Sequence, residues 1–161
     1  MSFLRRLCLV LFLATSFCLA ANASAMAQAC QTSATGAAFG NYDPTAAAPV
    51  TTTATVTVTC QAVIQLLIGY TISLSPGLSG SQTARKLMSG SDSISYQLFA
   101  DSNMSQIWGD GNGGTVTKID GYLLAILGPV VRNYTAFGRI TARQNVSPGS
   151  YSDTLTVLLV Y

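Results

Sequence analysis

Apolar and polar side chains alternate along several short stretches of this chain. In Val50 to Cys60, VTTTATVTVTC, one side carries Val50, Thr52, Ala54, Val56, Val58 and Cys60, and threonines fill nearly all of the other. A period of two with one apolar face predicts a half-buried strand and turns Cys60 toward the core. LIGYTISLS from Leu67 to Ser75 alternates again through Ile68, Tyr70, Ile72 and Leu74, then meets a Pro76-Gly77 turn. ISYQLF repeats the pattern from Ile94 to Phe99. Further strands are expected at GTVTKI from Gly114, YLLAIL from Tyr122 and YTAFGRITARQ from Tyr134. Periodicity alone does not separate helix from strand in YLLAILGPVV, and its surroundings favour strand. Short strands divided by Gly, Pro and Asn turns predict an all-β, antiparallel sandwich.

The last stretch, GSYSDTLTVLLVY from Gly149 to Tyr161, departs from simple alternation. Leu155, Val157, Leu159 and Tyr161 share one face, while Leu158 and Val160 make the other apolar as well. Burial on both sides is therefore expected. No lysine, proline or charge follows Asp153, so the devices that usually shield an edge strand are missing.

The other end of the chain reads as a leader. Arg5 and Arg6 precede an apolar run from Leu7 to Ala21, shorter than the roughly 20 residues a membrane span requires. Overlapping A-x-A sites end at Ala23, Ala25 and Ala27; cleavage after Ala27 is expected, making residues 1–27 a signal peptide and 28–161 one domain. In that domain six basic residues (Arg85, Lys86, Lys118, Arg132, Arg139, Arg143) balance six aspartates (Asp43, Asp92, Asp101, Asp110, Asp120, Asp153). A neutral chain has no electrostatic case for nucleic acid or an anionic membrane, and no membrane insertion is expected. Cys30 and Cys60 are the cysteines left after the leader, and an oxidising compartment predicts one disulfide between them.

Candidate chemistry is sparse. Histidine and glutamate do not occur, so the usual general bases and the partners that activate a serine are absent, and no enzyme is expected. WGDGNGGT from Trp108 resembles a calcium loop only superficially, because Gly114, Thr115 and Gly121 stand where a third ligand, the obligatory glycine and the bidentate carboxylate belong. No metal and no cofactor are expected. The residues of that loop, Trp108, Asp110 and Asn112, are candidates for a surface contact, with Trp108 either a platform for a sugar or a cap on the core.

The order Cys30, FGNYDP from Phe39, TVTVTC to Cys60, RKLMSGSDSISYQLFAD from Arg85, WGDGNGGT from Trp108, and FGRITARQNVSPGSYSDTLTVLLVY to Tyr161 resembles the spore coat protein U domain family, which includes subunits of archaic chaperone-usher pili. The resemblance covers essentially all of residues 28–161, and WGDG with the terminal G-x-Y-x-D-T are its most specific parts. It implies an incomplete immunoglobulin-like sandwich that lacks its last strand, carried through the periplasm by a chaperone and assembled at an outer-membrane usher with other pilin subunits into a surface fibre. Leu155, Val157, Leu158, Leu159, Val160 and Tyr161 would then edge a groove that accepts a strand from another chain.

A polymerising pilin of that family carries a donor segment of alternating apolar side chains before its first core strand. Here cleavage after Ala27 leaves Gln28 and Ala29 ahead of Cys30, and an earlier cut would leave NASAMAQA, whose side chains are small. A subunit able to accept and unable to donate belongs at the tip. The rival expectations are a secreted carbohydrate-binding module and a non-fibrous spore or envelope coat protein that associates through its threonine-rich faces.

Overall fold

The computed structural model describes residues 29–61, 66–124 and 129–161; the leader expected at 1–27 lies outside them. Among the described residues eight strands follow one another: β1 Ala29–Ala34, β2 Val50–Gln61, β3 Leu66–Leu74, β4 Lys86–Ser89, β5 Asp92–Phe99, β6 Lys118–Leu124, β7 Val130–Ile140 and β8 Val157–Val160. One sheet has the order β1-β2-β7-β5-β4 and the other β6-β3-β8, with every strand pair antiparallel.

The threonine alternation of β2 sets the core. Ala54, Val56, Val58 and Cys60 are buried against Tyr70, Ile72 and Leu74 of β3, Ile94, Tyr96 and Leu98 of β5, and Ala136 and Ile140 of β7. A β2 side chain turned the other way finds no facing sheet, and threonine tolerates that exposure while keeping the β-branched fit to the pleat. GTVTKI and YLLAIL are not two strands: Lys118 to Leu124 form one, and residues 125–128 lie outside the described part. The long terminal stretch reduces to four residues of β8; Gly149 to Thr156 form irregular chain touching β4 through one bridge, Met88 to Ser152.

Two strands lack a clear pattern in the sequence. In β1, ACQTSA has few strong strand formers, yet it pairs with β2 from Ala29 opposite Gln61 to Ala34 opposite Val56. Cys30 stands directly opposite Cys60 and the two are joined, the disulfide expected from the sequence. β4 is only four residues long and covers the margin of β5.

Candidate functional site: an open groove beside β8

β8 pairs with β3 alone among the described residues, from Val157 opposite Leu74 to Val160 opposite Thr71. Ser75 N donating to Thr156 O at 3.0 Å carries that pairing one step further back. The other margin of β8 lies near β1, which is itself the edge of the five-stranded sheet. Between them a groove of about 330 Å³ opens onto the core. Its floor includes Ala54, Val56, Leu74 and Leu98, one lip is the chain from Ala34 to Ala37, and the other is Asp153 to Leu155 with Val157. Apolar walls reached by solvent are unfavourable at about 25 cal/mol per Å², and a bare strand margin leaves peptide groups without partners.

The six residues expected along this margin divide. Leu155 and Val157 line the groove, and Leu159 packs on the core from the same face. Leu158 and Val160 do not: each is 56% exposed on the outer face of the three-stranded sheet, so the expectation of burial on both sides is corrected. No second layer lies over that face among the described residues, and β8 keeps the plain alternation of a half-buried strand. Tyr161 is exposed beyond the last paired residue.

What fixes the root of β8 is a buried polar hub that local sequence patterns do not reveal. Arg85 is 0% exposed. Its guanidinium donates to Ser75 O through Nε at 3.2 Å and Nη2 at 2.9 Å, to Trp108 O at 2.9 Å, to Gln82 Oε1 at 2.7 Å and to Gln97 Oε1 at 2.8 Å. Burial pulls its pKa below the ordinary arginine value, opposed by Tyr96, Asp153 and Asp110 nearby. A buried cation is tolerable when its donors find partners, and here four neutral acceptors take hydrogen bonds from all three guanidinium nitrogens. Gln82 in turn donates to Leu74 O at 3.0 Å, so the hub holds the end of β3 on which β8 lies.

Asp153 is the second anchor. Its carboxylate accepts Tyr96 Oη at 2.7 Å and the Leu78 N–H at 2.8 Å. Gly77, at φ 72°, lets the chain pass close enough: a Cβ there would stand 2.7 Å from Asp153 Cγ. The Asp of the G-x-Y-x-D-T pattern is thus the residue that ties the approach to β8 onto β5 and the turn after β3.

The WGDG loop has a structural part. Trp108 is 0% exposed and donates through Nε1 to Ile72 O at 3.1 Å, so it caps the core and presents no surface for a sugar. Asp110 and Asn112 are exposed, but Asp110 Oδ1 accepts Asn112 N at 3.0 Å and Thr115 Oγ1 at 3.3 Å, which closes the turn on itself. Those bonds, the Asn112 N–H foremost, hold the Asp110 carboxyl below the usual carboxylate range. Gly109 is required here, since a Cβ would lie 2.7 Å from Thr115. No cluster of three or more metal-ligating side chains occurs among the described residues.

Across the sandwich from the groove, Tyr134 on β7 donates to Asp120 Oδ2 on β6 at 2.5 Å and is hydrogen-bonded to Tyr70 Oη on β3. Burial and the contact with Asp120 raise the Tyr134 pKa, and the bond from Tyr134 lowers that of Asp120.

Two antiparallel sheets, with one side open between the edge strands of each, define an incomplete immunoglobulin-like β-sandwich. The chain belongs to the Spore Coat Protein U domain family, whose model matches residues 15–158. Its fold is similar to a chain in the crystal structure of the CsuC-CsuE chaperone-tip adhesion subunit pre-assembly complex from archaic chaperone-usher Csu pili of Acinetobacter baumannii, with TM-score 0.54 and 24% sequence identity. That match covers 84% of this chain and 40% of the other, so this chain spans less than half of its length. No curated protein matches. No helix among the described residues is long and apolar enough to cross a membrane.

Proposed function

We propose that this protein is a non-enzymatic subunit of a chaperone-usher pilus, and that the groove beside β8 accepts a β-strand from another chain. The observation that carries this reading is the margin of β8, paired on one side only among the described residues and bordered by an apolar groove. A strand laid there answers both deficits: its peptide groups pair with β8, and alternate side chains fill the groove. The solved relative comes from a complex of a chaperone with a tip adhesion subunit, which agrees with a periplasmic chaperone as first partner, followed by an outer-membrane usher and other pilin subunits. The leader at 1–27 sends the chain to the periplasm, and its final location is a fibre on the cell surface.

Placement at the tip rests on Asn22 to Ala29, NASAMAQA, in which Met26 alone is a large apolar side chain and no alternating apolar pattern runs. That stretch makes a poor donor.

The test is periplasmic expression of the full chain with and without the chaperone. Alone it aggregates or is degraded, and co-expression restores soluble protein. A monomer that is soluble and unfolds cooperatively by itself would overturn the reading. The tip placement fails separately if a peptide spanning 22–29 complements another subunit.

A further inference from the structure

The pole of the sandwich away from the disulfide carries a second cavity, unconnected with strand acceptance. It has a volume of about 510 Å³, within the range of about 300–1,000 Å³ usual for small-molecule sites. Two loops wall it, the one between β1 and β2 at Gly40 to Pro44 and the one between β7 and β8 at Val146 to Tyr151. Ile94 and Ile140, both buried, form the floor.

Two tyrosines stand in the walls with their hydroxyls already engaged. Tyr42 Oη donates to Thr141 O at 3.1 Å and accepts the Gln144 N–H at 2.7 Å. Gln144 is itself clamped to Ser95, donating to its carbonyl at 2.8 Å and accepting its N–H at 2.7 Å. Tyr151 Oη donates to Ser147 O at 2.8 Å, a bond that folds the second loop back on itself. Both rings are therefore held as fixed apolar walls, and neither hydroxyl proton is left to give to a ligand. The rim differs: the side chains of Asn41, Ser147 and Ser150 are exposed and make no hydrogen bond among the described residues. They offer donors and acceptors in mixed pairs.

Among the described residues no charged side chain lines the cavity, and Asp92 lies just behind the wall at Val146 and Ser147, in the adjoining depression. That placement disfavours anions. A polyproline segment wants donors from aromatic walls for its carbonyls, and these tyrosines have none to spare. What remains is a ligand with apolar C–H faces for the rings and hydroxyls for the rim. We propose that the cavity between the 40–44 and 146–151 loops is a binding site for a neutral saccharide. It stands whether or not the groove beside β8 accepts a strand.

The test uses the full chain purified from the periplasm with whatever partner it carries, screened on an array of neutral glycans. N-acetylneuraminic acid and a proline decamer serve as the charged and peptide controls, and saturation-transfer NMR reads contact. A neutral glycan binds, and the pair Asn41→Ala with Ser150→Ala weakens it about three- to tenfold per hydrogen bond lost. Tyr151→Ala abolishes binding, while Tyr151→Phe, which keeps the ring, retains most of it. Circular dichroism confirms that each variant is folded, and the rim pair serves should Tyr151→Ala not fold. Failure of every neutral glycan to bind, binding indifferent to the rim pair, or preference for either control overturns the proposal.

Discussion

Asp153 accepts the phenolic proton of Tyr96 at 2.7 Å, joining residues from β5 and the approach to β8 across the mouth of the groove. Burial first, and Asp153 next, raise the Tyr96 pKa far above the ordinary tyrosine value. A pKa raised in the folded state contributes stability that is complete below the unfolded value of about 10 and is lost as pH climbs past it. Tyr96→Phe is expected to cost about 1–3 kcal/mol at neutral pH, because Asp153 loses a buried donor. The same variant should show a shallower decline above about pH 10, where wild type begins to shed this contribution. Urea midpoints across that range check both.

Among the described residues Arg85 has no carboxylate as its direct partner; backbone and glutamine oxygens surround it. Arg85→Ala strands several buried acceptors at once, each worth about 1–3 kcal/mol, so the chain is expected not to accumulate as folded protein. Arg85→Lys keeps the charge but cannot span Ser75, Trp108, Gln82 and Gln97 with one ammonium, and should lower the melting temperature measurably while leaving the fold in place. Calorimetry on the lysine variant decides the point.

The Cys30–Cys60 bridge closes a loop with a sequence separation of 30. Chain entropy alone assigns it about 3.5 kcal/mol. It also secures the start of β1, one of the two edges facing the groove. The double variant Cys30→Ser, Cys60→Ser should lose about that much in urea denaturation, and protease should cut first within Ala29 to Ala34.

The Asp120 carboxyl is held low chiefly by the hydroxyl of Tyr134. A pKa depressed by folding contributes stability that is present above the unfolded value of about 3.9 and is lost as pH falls through the folded one. Acid unfolding should therefore steepen below about pH 4, and Asp120→Asn should lower stability at neutral pH, where the contribution is present, and flatten the acid limb, where it is already lost. Fluorescence-monitored acid titration of the two proteins gives the comparison.

Much of the fold is legible because period-two alternation needs only local chemistry. Val56, Val58, Ile72, Ile94 and Leu98 are buried where alternation puts them. β1 was not legible in the same way, since ACQTSA pairs through its opposition to Cys60 and neighbouring β2 residues and not through its own propensity. Leu158 and Val160 mislead because two apolar faces read as double burial, although an edge strand of a three-stranded sheet has only one face to bury. Arg85 gives no signal at all: its acceptors come from four separate places in the chain, and only folding brings Ser75, Gln82, Gln97 and Trp108 together. The cavity at the far pole is hidden for the same reason, with Tyr42 and Tyr151 more than a hundred residues apart.

The root of β8 is bolted down by Asp153 and by the Arg85 hub, whereas Val160 hangs from Thr71 at the far end of the pairing. A template tied by side chains at one end and by backbone pairing at the other has a direction. An incoming segment would gain a foothold where the margin is already ordered, so little entropy is lost in preparing it, and would then close toward Val160 like a zip.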